Sequence, residues 1–578
     1  MTGDGRHTER HTVEKRSHSA SHARPSVTRP SPERHTLARA ACLAFGLSGA
    51  ASLAYEVVWS RTLAILFDSS IYGFVLMLAT VLLGIALGGA LTGWLLGWRS
   101  GEPRLAGLAF GWLEIGIGLA AVLALVAFGG AFDWLVSVRD QGPPLFARLV
   151  RTDFRLMAML CVLTVLPAAL LMGATFPAAS RLWAAGADQV GARLGGVYAA
   201  NVAGAIVGSL GAGFLLVPML GAHRALLGLA ALNVLLGVFL LRAASNASWP
   251  VAAGIVALAT IGWGALQPPL HATVFRAHFP DQTLLAYWEG RENTVSVGRD
   301  PDGIQTLFTN SRGQTNDAPD LVRYHRVLGH VAALLSPHAD ARVLVVGLGA
   351  GATPGAIAQH TGTQIDVVEL SEAVVDAAPF FRTANYDVLS LPNVRLTVDD
   401  GRNFLLRNRQ AYDVITADVV HPFDAGATNL YSVEYFRLAA RALDPHGVMV
   451  QWVSPGSAFE HALIVRTFLQ AFPRATLWLT SDLLIGSPNP LQVSRTELER
   501  RLADPTARAS LAEVGLLKPE DVLAQFRAGP DALHAYAGPG PILSDDRPLL
   551  EYFASLHVPP EPPDLGQFHS DPATIVTR

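Results

Sequence analysis

Between residues 37 and 267, apolar runs of spanning length follow one another: 38–58, 72–98, 106–128, 155–180, 196–217, 221–241 and 250–266. A helix needs about 20 apolar residues to cross the hydrocarbon of a bilayer. A row of such runs therefore predicts a polytopic α-helical membrane domain of about seven helices over 37–267. Composition agrees, because only 16% of the 578 residues are charged, against about 25% in soluble domains. Small residues four apart, at Gly84/Gly88 and at Gly204/Gly208/Ala212, let helix backbones approach where lipid supplies no hydrophobic drive. Glu56 is expected to pair with Arg61. Glu114 and Asn201 are expected to clasp neighbouring helices, with a transport pathway as the alternative.

Residues 1–36 are rich in Arg, His, Ser and Pro and predict a disordered basic tail. The apolar region behind them starts too late and runs too long for a cleavable signal peptide. The tail, with Arg99, Arg104, Arg181, Arg193 and Arg242, favours a cytoplasmic N-terminus under the positive-inside rule. Seven crossings from there end outside the cell. Either one run does not cross or the tail is external.

Cys42 and Cys161 are the only cysteines and both fall in apolar runs, which excludes a disulfide scaffold and a cysteine zinc site. His330, His338 and His360 lack the spacing of a convergent ligand set, so exposed or capping roles are expected and no metal. The net charge of −4 gives no sign of a nucleic-acid partner.

After about residue 270 the pattern changes. TVSVGRD and QTLFTN alternate as strands do and predict a small β-hairpin region over 270–335. From 341, apolar β-rich runs (ARVLVVGLG, TQIDVVELS, NVRLTVDDG, YDVITADVV, GVMVQWVS) alternate with helical segments, which implies a doubly wound parallel sheet. This α/β Rossmann-like domain spans 336–490, and 491–578 form a C-terminal extension. Ligands in such sheets bind beyond the carboxyl ends of the strands. Gly347, Gly349 and Gly351 end the first strand, Glu369 the second, Asp399-Asp400-Gly401 the third and Asp418 the fourth. The third glycine is displaced from the G-x-G-x-x-G dinucleotide fingerprint. A carboxylate after the third strand can accept a hydrogen bond from the exocyclic amine of adenine. Together these features suit S-adenosylmethionine or a relative of it.

In that order, YWEGRENTVSV, SRGQTND…YHRVLGH, VLVVGLGAG, DVVELSEAVVDAA, VDDGRNFL and YDVITADVVHPFDAGATNLYSVEYFRLAARAL resemble the spermidine synthase (polyamine aminopropyltransferase) family over about 285–455. GPILSDDRPLLEYF at 540–553 is similar to the closing segment of bacterial members fused to a multi-helix membrane domain. The resemblance implies a class I S-adenosylmethionine-type fold. It implies Glu369 on the ribose, Asp400 and Gly401 at the adenine end, and Asn293 where the family has a glutamine near the nucleotide. It implies Gln314, His325 and Tyr431 in the amine pocket, and Asp418 as the proton acceptor.

Three positions depart from the family pattern. Ala350 stands for an aspartate that holds the aminopropyl amine, His421 for a second acid, and Arg326 for a glutamate, which together predict weaker binding of a dication such as putrescine. Three functions stay open. The first is aminopropyl transfer from decarboxylated S-adenosylmethionine to a small-molecule amine acceptor, with Asp418 as base. The second is methyl transfer from S-adenosylmethionine, and the third a non-catalytic nucleotide-sensing domain on a transporter-like membrane domain. The expected location is the cell (inner) membrane, in contact with the lipid bilayer, with the soluble half cytoplasmic because the nucleotide is supplied there. A homodimer is compatible with this reading. Arg402, Arg437 and Arg441 are expected on solvated helix faces, and Asp545 and Asp546 at a cap.

Overall fold

The computed structural model describes residues 32–67, 69–98, 103–137, 154–184, 190–245, 247–408, 410–417, 421–453, 456–552 and 561–577. Each apolar run is helical: α1 (Pro32–Leu66), α2 (Ile71–Trp98), α3 (Pro103–Ser137), α4 (Phe154–Ala184), α5 (Val190–Gly211), α6 (Val217–Ser245) and α7 (Trp249–Ala265), followed by the short α8 (Leu270–His278). Among the described residues, five stretches are long and apolar enough to cross a membrane, or six if the bent pair α7 and α8 counts as one. One of the five, Leu194–Ser245, is 52 residues long and contains α5, a π segment at Ala212–Leu216 and α6. Its helical path breaks at Gly221, where φ is +78°, a conformation that glycine reaches without a Cβ penalty.

The small residues act at the crossings. A Cβ on Gly88 would meet Leu170 O at 1.9 Å, and one on Gly204 would meet Gly46 O at 1.8 Å, so α2 lies on α4 and α1 on α5 backbone to backbone. The polar groups clasp. Asn233 Nδ2 donates to Glu114 Oε2 at 2.6 Å, and Asn201 Nδ2 donates to Phe45 O at 2.9 Å. Arg61, expected to pair with Glu56, feels the charges of Glu292 and Glu289, which follow the helical half in sequence.

Contacts fix the helix directions. The residues after α1 and the start of α6 touch the C-terminal half through Ser69 and Ala222. At the other end of α6, Arg104 at the start of α3 donates to Ala244 O at 3.0 Å. The start of α3 and the end of α6 therefore lie at the end away from the C-terminal half. The first described residues of α1 lie at that end too.

Strands β1 (Thr283–Glu289), β2 (Thr294–Arg299), β3 (Gln305–Thr309) and β4 (Arg312–Asn316) form an antiparallel sheet in sequence order. Helix α9 (Pro319–Leu334) leads into the larger sheet. There β5 (Arg342–Val346), β6 (Gln364–Glu369), β7 (Val394–Val398), β8 (Tyr412–Ala417) and β9 (Leu443–Trp452) are parallel, in the order β9-β8-β5-β6-β7. Val343–Val346 are buried, as the continuous apolar runs of a sheet covered on both faces require. Antiparallel strands β10 (Thr476–Trp478), β11 (Leu483–Gly486) and β12 (Phe526–Ala528) extend the far edge to eight strands. Strand β12 belongs to the C-terminal extension, which is thus built into the same sheet.

Candidate active site

The glycine turn follows β5. Gly347, Gly349 and Gly351 have φ of +89°, +54° and +83°, left-handed values that exclude most side chains at low cost. The turn is held from outside, because Asn385 Nδ2 donates to Ala350 O at 2.8 Å. From inside, Glu369 at the end of β6 accepts from Leu348 N at 2.7 Å and from Ser371 N at 2.9 Å. Burial pushes the Glu369 carboxyl above the usual glutamate range, opposed by hydrogen bonds from the backbone of Leu348, Ser371, Leu370 and Gly349. Hydrogen bonds to the charged form act in that direction. Ser371 Oγ also donates to Asn293 Oδ1 at 2.8 Å, which brings the β1–β2 turn to the same place.

At the end of β7, Asp400 Oδ1 accepts from Asn403 N at 2.8 Å and caps the helix Gly401–Arg407. A Cβ on Gly401 would meet Val346 Cγ1 at 2.5 Å. Its absence allows this helix to start against β5.

One cavity joins these parts. Asn293, Gly347, Gly349, Gly351, Glu369, Asp400 and Gly401 line it, as do Gln314 from β4 and His325 from α9. Gln314 Nε2 is buried with no hydrogen-bond partner among the described residues, a donor that a ligand oxygen would satisfy. Leu321, His421, Leu430 and Trp452 complete the wall. Asp418 lies outside the described residues. Its described neighbours are Ala417, the last residue of β8, and His421 in the cavity wall.

Other expectations change. Tyr431 is fully buried in the hydrophobic core and is absent from the described cavity lining. The 3₁₀ turn Ala427–Leu430 turns its neighbour Leu430 to the cavity instead. Arg326 does not line the cavity either: its guanidinium stacks 4.0 Å from the Tyr386 ring centre and pairs with Glu513, so it adds no charge there. His330 and His360 are buried rather than exposed, 2.9 Å apart (Nδ1 to Nε2), with His330 Nε2 2.9 Å from Ser510 Oγ. Burial pushes His360 down to about 4 and His330 well below its usual value. Arg402 pairs with Asp545 of the extension. Among the described residues, no group of three or more His, Cys, Asp or Glu could hold a metal ion.

A model of the spermine/spermidine synthase domain matches residues 321–475. A polyamine aminopropyltransferase of Aeropyrum pernix is 31% identical over 207 residues, covering 33% of this chain and 65% of the relative. One of Mycobacterium tuberculosis is 30% identical over 379 residues, covering 62% of this chain and 68% of the relative. The chain thus spans about two thirds of the length of these relatives. The mycobacterial match takes in more of the chain than residues 270–578 can supply, so the likeness reaches into the helical half. A crystal structure of spermidine synthase in complex with the transition-state analogue AdoDATO aligns at 18% identity with a TM-score of 0.38, over 44% of this chain and 88% of that one.

Proposed function

The chain belongs to the polyamine aminopropyltransferase (spermine/spermidine synthase) family, and from that premise we propose a membrane-anchored transferase. It moves the aminopropyl group of decarboxylated S-adenosylmethionine to an amine. The observation that carries this reading is convergence: the glycine turn, Glu369, Asp400–Gly401 and the orphan amide of Gln314 meet in one cavity. The residues fit such a donor. Glu369 accepts from the ribose hydroxyls, Asp400 from the adenine amine, and the bare backbone of the turn admits the nucleoside closely. Asn293 steadies Glu369 through Ser371, and Gln314 and His325 border the reacting end.

In the reaction the amine nitrogen attacks the methylene carbon beside the sulfonium. The carbon–sulfur bond breaks, its electrons neutralise the sulfur, and methylthioadenosine leaves. Asp418 takes the proton that the amine must lose. Methyl transfer from S-adenosylmethionine is the second reading, favoured by Ala350: its methyl group, in place of an anchoring carboxylate, leaves room for a donor that keeps its own.

The helical half is the anchor in the inner membrane. At 1.5 Å per residue the 52 residues of Leu194–Ser245 reach about 78 Å, more than two hydrocarbon thicknesses. They therefore make two crossings that turn at Gly221. The chain crosses seven times, which puts the N-terminal tail and the soluble half on opposite faces. The soluble half is cytoplasmic, where the donor is made, and the tail is external.

Calorimetric titration of the full-length protein in detergent with each nucleotide tests the reading. Tighter binding of the decarboxylated donor is expected. Preference for S-adenosylmethionine supports methyl transfer, and binding of neither removes both.

A further inference from the structure

Ser69 stands in the connection between α1 and α2 with φ of +58°, a left-handed conformation that a residue with a Cβ adopts at a cost. Hydrogen bonds hold it there. Its N–H donates back to Ala64 O of α1 at 2.9 Å, and the N–H of Ser70 donates to Phe67 O at 3.0 Å. The Ser70 hydroxyl accepts from Tyr72 N, in the first turn of α2, at 3.3 Å. A Cβ on Gly73 would meet Phe67 Cδ2 at 2.6 Å, so the α2 backbone closes directly on the Phe67 ring. Ser69 is thus tied to both helices.

The soluble half takes up what Ser69 presents. Its hydroxyl accepts from Asn310 Nδ2 at 2.7 Å, and its carbonyl accepts from Ala425 N at 3.3 Å. Asn310 and Ser311 form the β3–β4 turn with φ of +46° and +62°, the left-handed pair that suits the twist of a two-residue hairpin. Asn310 Oδ1 accepts from Thr294 N of β2 at 2.9 Å, which fixes the amide that reaches Ser69. Just after the turn, Arg312 Nη1 donates to Asp424 Oδ1 at 2.7 Å. The loop 421–430 is therefore gripped at two neighbouring residues, Asp424 by β4 and Ala425 by Ser69. Both gripped pieces line the donor cavity: Thr309, Gln314 and Thr315 from the hairpin, His421 and Leu430 from the loop.

We propose that Ser69 is a positioning residue for the transfer: through it the α1–α2 connection of the helical half sets the β3–β4 hairpin and the loop 421–430 relative to each other. This rests on aminopropyl transfer as the activity. The Arg312–Asp424 ion pair fixes a distance between hairpin and loop but lets the loop turn about it. Two further bonds to one residue of a third element remove that freedom. The orientation matters because a misplacement of about 1 Å costs a transfer reaction about 100-fold. The helical half then does more than anchor the chain, since part of the frame of the site belongs to it.

The test compares full-length wild type, Ser69→Gly and Ser69→Pro in phosphatidylcholine nanodiscs. Glycine keeps the left-handed backbone and removes the hydroxyl; proline forces φ to about −65° and withdraws the carbonyl as well. Hydrogen–deuterium exchange of peptides covering 421–430 should quicken about tenfold or more in Ser69→Pro. Transfer from decarboxylated S-adenosylmethionine to putrescine is followed as methylthioadenosine. Its kcat should fall about tenfold or more in Ser69→Pro and roughly 3- to 10-fold in Ser69→Gly, the worth of one hydrogen bond. The donor Kd from calorimetry should stay within about twofold in both, the split expected of a residue that acts on the transfer step. Unchanged exchange in Ser69→Pro overturns the proposal, and so does a donor Kd that rises in step with the loss of turnover. Should Ser69→Pro fail to fold, Ser69→Gly decides, and a kcat equal to that of the wild type overturns it. No methylthioadenosine from the wild type with donor bound overturns aminopropyl transfer instead, and exchange of the loop still decides the role of Ser69.

Discussion

Glu369 is buried, and in its proposed role it must stay ionised to accept from a ribose. Burial raises its pKa above the usual 4.5, so it protonates at a higher pH than an exposed glutamate does. Donor affinity should therefore fall as pH is lowered through that raised value, while the carboxylate is intact above it. Glu369→Gln should weaken binding roughly 10- to 100-fold, the worth of a hydrogen bond to a charged group, and flatten the pH dependence. A titration series of both proteins reads this, and an equally steep profile in the variant sinks the role. The glycines, Glu369 and Asp400 were legible because a strand end announces itself through glycine and acid next to an apolar run. Ser371 and Asn385 were not, since their partners Asn293 and Ala350 stand 78 and 35 residues away. Leu430 was missed by one residue, because a 3₁₀ turn presents a different face from the one a motif suggests. Arg326 was misread for want of its distant partner Glu513.

The helical and catalytic halves are joined by elements rather than by a linker. Glu289 at the end of β1 accepts from Ala222 N at 2.6 Å, beside the break at Gly221. The turn after β1 closes through Gly290 N to Asn293 O at 2.9 Å, and Asn293 continues through Ser371 to Glu369. Every link from the broken helix to the nucleotide turn is thus a hydrogen bond or a short piece of backbone. Glu289→Ala should raise the donor Kd about fivefold or more, the low end of ordinary coupling energies, although Glu289 lies outside the lining of the donor cavity. An unchanged Kd would mean that the two halves are only attached. The strands were readable from alternation and apolar runs. The clasp was not, because its partners are 67 residues apart and Gly221 looks like any other glycine between apolar runs.

At the scale of the whole molecule, the seven apolar runs were plain from length and composition, but the face on which the tail lies was not. The alternating helix directions put the first described residues of α1 at the end away from the soluble half. Arg155 opens α4, at the end near the soluble half, and Arg104 opens α3 at the other end, so both faces carry basic residues and the charge rule loses its bias. A green fluorescent protein fused at the C-terminus should fluoresce in cells, and alkaline phosphatase fused there should be inactive. The reverse pair would put the site outside, away from its donor. Acid should loosen the soluble half. Burial pushes His360 and His461 each down to about 4, below the usual 6.5. The unfolded chain then binds more protons between these values, and stability present above pH 6.5 is lost as pH falls toward 4. The loss is on the order of 3 kcal/mol per histidine, visible as a falling thermal midpoint between pH 7 and 4.5; a flat midpoint contradicts the neutral buried state.

Release of methylthioadenosine from decarboxylated S-adenosylmethionine by the full-length protein, compared with its Asp418→Asn variant, tests the central claim most directly. Amine-dependent release is predicted in the wild type. The variant should be slower by at least about 100-fold, the lower end of general-base catalysis, with donor affinity unchanged. Equal release by the two proteins, or none by the wild type with donor bound, would contradict it.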